Sequence, residues 1–202
     1  MRSSGVIVLA GGRSSRMGTD KAALEWNGAT MIEHTAAALA RAFDRVLVVA
    51  GEHQSAIMSR LPGTVGVIYD AAPFEGPVPA LRLGLDAIGA DTVFACGCDL
   101  PFICPELARE LCAMAEGHDA AIPVVEGRMQ VLHAAYRQSC TSALRSMIRL
   151  GERRLHAVVP LINARLVNED ELRPYDPRLL SFFNLNTPAQ YRDARRMAAV
   201  SE

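Results

Sequence analysis

The sequence predicts a three-layer α/β fold, in which helices cover both faces of a mostly parallel sheet. Short apolar runs alternate with segments of helical periodicity along the chain. The runs are continuously apolar, as in strands that are buried on both faces, whereas a half-exposed strand would alternate. The 202 residues are 50% hydrophobic and 21% charged, so we expect one domain over residues 1–202 with a substantial core.

The first half of the chain supplies three predicted strands. Residues 5–10 are an apolar run bounded by glycines and are predicted to form the first strand. An amphipathic helix is predicted over 30–43, with Thr30 placed to cap its first turn. Two further strands are predicted at 45–50 and 65–69. This order of elements is typical of a parallel sheet with crossover helices.

The second half continues the alternation. Residues 92–98 form another apolar run and are predicted to be a buried strand. Pro105 suits the first turn of a helix over 105–116. Gly151 is placed to end a helix over 139–150. The remaining predicted elements are helices at 78–88 and 188–200 and strands at 120–125, 129–136 and 165–167.

Composition excludes several classes of function. The net charge is −1 and no strongly basic tract is present, which argues against nucleic-acid binding. The apolar run near the N-terminus is too short for a signal peptide, and no stretch is long enough to span a membrane. The five cysteines include no Cys-x-x-Cys pair, so we expect buried thiols in a reducing compartment. A cytoplasmic protein is therefore expected.

A glycine-rich segment follows the first predicted strand. Residues 9–21 read LAGGRSSRMGTDK, and Lys21 at its end is the only lysine in a chain that otherwise uses arginine. A lysine ammonium is a compact point charge, whereas arginine is a planar fork. Beside the backbone N–H groups of a glycine-rich turn, a point charge suits a phosphate group. The alternative is an ordinary surface lysine.

The spacing of this segment excludes two common nucleotide-binding motifs. Five residues separate Gly12 from Gly18, and Lys21 does not directly follow Gly18, so the segment is not a Walker A loop. The glycines also miss the spacing of the dinucleotide-binding fingerprint. Arg13, Arg16 and Lys21 lie within nine residues, a density of positive charge that fits a polyphosphate.

Two acidic residues follow predicted strands and can share a crevice with this segment. Asp70 and Asp99 each come at the carboxyl end of a strand, the edge at which open α/β sheets bind ligands. Mg²⁺ takes carboxylate and phosphate oxygens, and Asp99, after the more apolar strand, is the better candidate ligand. Either residue could instead be a turn former.

These residue types suit nucleotidyl transfer. A phosphate monoester that attacks the α-phosphate of a nucleoside triphosphate is already an anion and needs no strong base. The barrier lies in bringing anions together and in stabilising charge on the departing pyrophosphate. Lys21, Arg16 and a metal ion at Asp99 could supply that stabilisation.

The motifs resemble those of the molybdenum cofactor guanylyltransferases. The segment 9–21 carries the resemblance most specifically. Further matches run nearly the whole chain in the family's order: Gly76-Pro77 before a helix, CDLPF at 98–102, GERR at 151–154 and NLNTP at 184–188. The resemblance implies the Rossmann-like fold of the nucleotide-diphospho-sugar transferases. It also implies that GTP and the molybdopterin form of the molybdenum cofactor react to give a guanine dinucleotide and pyrophosphate.

The resemblance also implies roles for particular residues. Lys21 would contact the phosphates, and Asp99 would hold Mg²⁺ against GTP. Asp70 would help to bind the nucleotide. Residues expected at the nucleotide base are Leu9, Ala10, Gly11 and Gly12, and those expected on the catalytic or pterin-facing side are Asn184 and Asn186. Transient contact with cofactor-delivering or molybdoenzyme-maturation proteins is expected, with no nucleic-acid or membrane partner.

Several alternatives stay open at this point. Val49 stands where relatives often carry Asn, and residues 78–81 depart from the family's Gly-Pro loop. CTP in place of GTP as the nucleotide, or another phosphorylated molecule as the acceptor, therefore remains possible. A non-catalytic nucleotide-binding module is the alternative of another class. Asn184 and Asn186 could form only a turn before a helix capped by Thr187. His133, in an apolar pattern, is expected to be a core or hydrogen-bonded histidine, and the alternative is that it reaches the substrate side.

Overall fold

A computed structural model describes residues 3–10, 20–70 and 76–200 of the chain. Within these ranges an eight-stranded sheet is the centre of the fold, in the order β10-β7-β9-β6-β1-β4-β5, with β8 paired to β7. Its strands are β1 Ser4–Leu9, β4 Val46–Gly51, β5 Val65–Asp70, β6 Thr92–Gly97, β7 Ala120–Val125, β8 Arg128–Met129, β9 His133–Arg137 and β10 Ala164–Val167. The two short strands β2 Glu25–Trp26 and β3 Ala29–Thr30 form a separate hairpin.

Strand β1 lies in the middle of the sheet, parallel to β4 on one side and to β6 on the other. Leu9 pairs with Val49 of β4 and with Gly97 of β6, so β1 and β6 end at the same level and β4 extends two residues further. β5 continues the sheet in parallel beyond β4. The carboxyl ends of four neighbouring strands therefore meet at one edge, and the predicted mostly parallel sheet is confirmed.

The predicted strand over 129–136 is wrong in detail. Residues 128–129 pair antiparallel with β7, and a separate strand, β9, runs antiparallel between β6 and β7. Glu126 and Gly127 have φ of 50° and 71°, the backbone of a tight hairpin turn, which returns the chain onto β7. His133 N donates to Gln130 O at 3.0 Å in the turn that separates the two strands.

The helices are α1 Met31–Leu39, α2 Ser55–Met58, α3 Pro77–Ile88, α4 Pro105–Met114, α5 Thr141–Arg149, α6 Glu169–Leu172 and α7 Pro188–Val200. Thr30 caps α1 as expected: it shares a capping box with Glu33, although the helix ends at Leu39, short of the predicted residue 43. Gly151, at φ 74°, ends α5 as expected. Its N–H donates to Ile148 O and that of Glu152 to Met147 O, the hydrogen bonds of a Schellman motif.

The continuous apolar runs pack on both faces of the sheet. Val6 and Val8 of β1 face one core cluster, together with residues from α1 and α4. Ile7 and Leu9 face a second cluster, together with residues from α3 and α5. All five cysteines are free, and four of them are buried, as expected. In the described part of the chain no helix is long and apolar enough to cross a membrane.

The β2–β3 hairpin was not predicted. Asn27 and Gly28 have φ of 50° and 81°, as a two-residue Asn-Gly turn requires. The hairpin presents Trp26, whose side chain is almost fully buried against Leu185 and Ala194. It therefore forms the base on which α7 and the segment preceding it pack.

Candidate active site

Three chemically active side chains meet at the carboxyl ends of β1 and β6. Lys21 Nζ donates to Asp99 Oδ2 at 2.6 Å and to Asn186 Oδ1 at 2.5 Å. The side chains of Lys21 and Asp99 are 25% and 14% exposed, so the ion pair is open to ligand but partly shielded from water. Residues far apart in the sequence thus converge on one ammonium group.

Two hydrogen bonds to backbone carbonyls fix the position of Asp99. Thr35 Oγ1, buried in α1, donates to Cys98 O at 3.3 Å, and Leu185 N donates to Asp99 O at 3.0 Å. A Cβ at position 97 would lie 2.7 Å from Asp99 Oδ1, so any side chain there would displace the carboxylate. The absence of a side chain at Gly97 is what leaves room for the carboxylate.

The loop after Asp99 is held by a histidine of α1. His34 Nε2 and Pro101 O lie 3.0 Å apart, at hydrogen-bond distance. Burial lowers the pKa of His34, so the ring is neutral at pH 7 and its N–H donates to the carbonyl. Sequence reasoning assigned no role to His34, and its spacing from other residues carried no signal.

Lys21 begins a short 3-10 turn, Lys21–Ala23, which Asp20 caps. Asp20 Oδ1 accepts from Ala22 N at 3.0 Å, and Oδ2 accepts from Gln54 Nε2 at 2.8 Å. The lysine backbone is thus fixed by the residue immediately before it. Gln54 was missed in the sequence, where nothing but its place after a strand marked it.

The two asparagines before α7 behave differently. Asn186 is exposed and reaches Lys21, whereas Asn184 Nδ2 donates to Phe182 O at 2.9 Å. Thr187 Oγ1 accepts from Gln190 N at 3.2 Å, so the expected helix cap is present as well. The structure therefore brings Asn186 to the cluster, while the amide of Asn184 is tied to its own segment.

The other predicted site residues are partly outside the cluster. Asp70 ends β5, three strands from β6, or about 14 Å at about 4.8 Å per strand spacing. Leu9 and Ala10 are buried at the end of β1, and Ala10 N donates to Val49 O at 2.9 Å. The remaining predicted residues, Gly11, Gly12 and Arg16, lie outside the described residues.

Two of the sequence motifs prove to be neighbours. Gly76, at φ 90°, begins α3, and a Cβ there would lie 3.0 Å from Arg153 O. Glu152 accepts from the side chain and backbone of Arg154, and these hydrogen bonds lower its pKa to about 2. The Gly76-Pro77 and GERR segments therefore lie directly against each other at Gly76 and Arg153.

The remaining titratable groups do not suggest other chemistry. Burial and the nearby Asp99 carboxylate raise the pKa of Cys98, so this thiol stays protonated and is no nucleophile. Among the described residues there is no group of three or more His, Cys, Asp or Glu side chains that could hold a metal. His133 is a core residue, as expected: it packs against Phe94 and Phe182, and its ring nitrogens have no hydrogen-bond partner in the described part of the chain.

The ammonium of Lys21 and the carboxylate of Asp99 lie at the carboxyl ends of a mostly parallel sheet, the place where α/β proteins of this class bind their ligands. A family model described as the MobA-like NTP transferase domain matches residues 6–166. The chain belongs to this family, and the family predicted from its motifs is confirmed.

Curated relatives span the chain almost completely. A probable molybdenum cofactor guanylyltransferase of Pelotomaculum thermopropionicum is 34% identical over 195 residues, covering 96% of this chain and 93% of the relative. A protein of the same name from Carboxydothermus hydrogenoformans is 28% identical over the full length of both chains.

Solved structures agree on the fold. The molybdopterin-guanine dinucleotide biosynthesis protein A of Archaeoglobus fulgidus is 26% identical, with a TM-score of 0.84 over 96% of this chain and 98% of that one. The 4-diphosphocytidyl-2C-methyl-D-erythritol synthase of Anaerococcus prevotii has a TM-score of 0.74 at 13% identity, over 98% of this chain and 96% of that one, which shows the fold alone.

Proposed function

We propose that the protein transfers GMP from GTP to the molybdopterin form of the molybdenum cofactor, releasing pyrophosphate and forming a guanine dinucleotide. The observation that carries the proposal is the contact of Lys21 with Asp99 and Asn186 at the carboxyl edge of the sheet. The names of the full-length relatives support the reaction and the choice of GTP.

The bond changes need positioning more than proton transfer. A phosphate oxygen of the acceptor attacks the α-phosphorus of GTP, and the bond from that phosphorus to the bridging oxygen of pyrophosphate breaks. Lys21 has three N–H donors, two of which are used by Asp99 and Asn186 within the described residues. The third can bind a triphosphate oxygen and offset the negative charge that develops on the leaving group. Arg16 is proposed to assist at the same phosphates.

Asp99 is proposed to hold Mg²⁺. Oδ2 of its carboxylate faces Lys21, and Oδ1 lies on the side where Gly97 has no side chain. One carboxylate fits Mg²⁺, which commonly takes one or two protein oxygens and completes its shell with phosphates and water. Mg²⁺ would supply charge neutralisation at the β- and γ-phosphates.

The other proposed contacts divide between the two substrates. Asp70 lies three strands from β6, the strand that Asp99 follows, along the same edge of the sheet. This separation suits the length of a nucleotide. Asn184 and Asn186 lie in the segment before α7, and Asn186 contacts Lys21, so this segment is proposed to face the acceptor. The residues proposed to bind the nucleotide base are Leu9, Ala10, Gly11 and Gly12. Because Ala10 N donates to Val49 O and Ala10 O already accepts from Gln54 Nε2, Ala10 would bind the base through the second lone pair of its carbonyl.

A turnover assay with four nucleotides tests the proposal. Purified protein, MgCl₂ and molybdopterin cofactor are mixed with GTP, CTP, ATP or UTP, and pyrophosphate and the dinucleotide product are quantified. We expect product with GTP and binding of GTP at least about tenfold tighter than CTP, a difference of about 1.4 kcal/mol. Equal or better use of CTP would remove the guanylyl assignment. Nucleotide binding without pyrophosphate from any of the four would indicate a non-catalytic module.

We place this reaction in the cytoplasm, with transient handover of the acceptor from cofactor-delivering proteins and of the product to molybdoenzyme-maturation proteins. Five free thiols support a reducing compartment. Cross-linking of the intact protein in cell extract during turnover tests the handover.

A further inference from the structure

Gln54 connects three parts of the chain beside the Lys21 cluster. Its Nε2 donates to Ala10 O at 3.0 Å and to Asp20 Oδ2 at 2.8 Å, and its Oε1 accepts from Gly51 N at 3.0 Å. The residue is 2% exposed. The amide orientation is fixed by its partners, because a flipped amide would turn its oxygen toward two acceptors.

The hydrogen bonds of Gln54 connect it to the turn that carries the Lys21 ammonium. Ala10 directly follows β1, Gly51 ends β4, and Asp20 is the residue before Lys21. Asp20 also caps the turn in which Lys21 lies, so the amide holds this turn against the ends of two central strands. The planar amide of Gln54 uses both of its N–H donors and its oxygen in these three hydrogen bonds, so it leaves the turn little freedom to move.

We propose that Gln54 is a positioning residue that sets where Lys21 Nζ lies, by holding the carboxylate of Asp20. The catalytic consequence of this role rests on the proposed function, because Lys21 is taken there to bind the triphosphate. Placement within a fraction of an ångström matters for such a group, since a misplacement of about 1 Å can cost about 100-fold in rate. Gln54 itself touches no reacting atom.

The chain offers a matched control for a purely structural effect. Gln138 Nε2 also donates two hydrogen bonds, in its case to the backbone carbonyls Leu85 O at 2.6 Å and Ala90 O at 3.0 Å, at the opposite edge where β6 begins. Gln54→Leu and Gln138→Leu remove comparable cross-links, but only the first lies beside Lys21. We expect kcat to fall about tenfold or more in Gln54→Leu, with a smaller change in KM for GTP, and to stay normal in Gln138→Leu.

A double-mutant cycle tests the route through Asp20. If Gln54 acts by holding that carboxylate, Gln54→Leu should change kcat by less than about twofold in an Asp20→Ala background. The links to Ala10 and Gly51 are lost in both backgrounds, so a structural role would give the same loss in each. Equal losses in the two backgrounds, or an equal loss in Gln138→Leu, would overturn the proposal.

A second readout does not depend on turnover. Because Lys21 is the only lysine, its acylation by an N-hydroxysuccinimide ester can be followed in the intact protein by mass spectrometry of one peptide. We expect faster acylation in Gln54→Leu than in the wild type and no change in Gln138→Leu. An unchanged rate in Gln54→Leu overturns the proposal. If the wild type turns over no GTP, the proposed function fails while this measurement still decides the positioning role.

Gln54→Glu covers the case in which the leucine variant does not fold. The carboxylate retains the acceptor for Gly51 N but faces the carboxylate of Asp20. Repulsion between the two carboxylates should displace Lys21 at neutral pH and speed its acylation. At lower pH, protonation of the new glutamate restores a donor, and the acylation rate should return to that of the wild type measured at the same pH. A Gln54→Glu protein with wild-type acylation at neutral pH would contradict the proposal.

Discussion

His133 should make the free energy of unfolding depend on pH, and substitution of this one residue should remove that contribution. Its ring is buried between Phe94, at a centroid distance of 5.0 Å, and Phe182, at 4.3 Å. Burial lowers the pKa of His133 to about 3, and the Asp176 carboxylate opposes this only in part. The folded protein therefore keeps the ring neutral under conditions in which the unfolded chain binds a proton.

The sign and size of the effect follow from the two pKa values. Above the unfolded pKa of about 6.5 both states are neutral at this residue, and stability does not depend on pH. Below it the unfolded state binds the proton, so the free energy of unfolding falls by about 1.4 kcal/mol per pH unit until the folded pKa is reached. From pH 7 to pH 5 the loss is about 2 kcal/mol, whatever the folded pKa below about 4.

Urea unfolding of the wild type and of His133→Leu at pH 7, 6 and 5 measures this term. We expect the stability of the wild type relative to the variant to fall by about 2 kcal/mol over this range, or about 4–8 °C in Tm for a chain of this size. Shifts that both proteins share, such as that of His34, cancel in the difference. A difference that stays constant between pH 7 and pH 5 would show that the ring is solvated or hydrogen-bonded, and the reasoning would fail.

Substitutions at three further positions test the site. Lys21→Arg should lose much of the turnover and Lys21→Ala most of it, because a planar fork cannot take the place of the ammonium between two oxygens; pyrophosphate release at full rate in the arginine variant contradicts this. Asp99→Asn should lower kcat at least about 100-fold, or about 2.7 kcal/mol, with unchanged Tm; near-normal Mg²⁺-dependent rates would assign the metal to another group. Gly97→Ala should change stability by only about 1 kcal/mol, because the new Cβ contacts Asp99 Oδ1, the mobile end of a side chain. The value of kcat should fall as the carboxylate moves. A wild-type kcat would show that the exact place of Asp99 is unimportant.

The strands were predicted where hydrophobic burial decides the structure. The central strands β1, β4 and β6 are continuous apolar runs, and the structure places them within one residue of the predicted bounds. The run over 129–136 was misassigned because hydrophobicity alone cannot separate one strand from two, and the turn closed by the His133 N to Gln130 O hydrogen bond has no glycine or proline to mark it in the sequence. The Asn27-Gly28 pair was a readable hairpin signal, but strands of two residues give too short a pattern.

The candidate site was predictable only where it depends on strand ends. Lys21 and Asp99 follow β1 and β6, which are neighbours in the sheet, so their meeting follows from topology. The role of Gln54 depends on a contact across the fold, and that of Gly97 on the exact placement of the Asp99 side chain two residues away; no pattern in one sequence encodes either distance. The same limit explains why Asn184 and Asn186 looked equivalent although only Asn186 contacts Lys21.

The site is assembled by packing far from the reacting atoms. Asp99 O is bonded to Leu185 N, and Leu185 is buried against Trp26 of the β2–β3 hairpin. Tyr191 of α7 donates its hydroxyl to Glu25 O at 2.6 Å and fixes the helix on the same hairpin. The segment that carries Asn186 is therefore held by an aromatic core as well as by the sheet. Since Lys21 contacts both Asp99 and Asn186, its position reports on both supports, and loss of either one should release the ammonium before the central sheet unfolds.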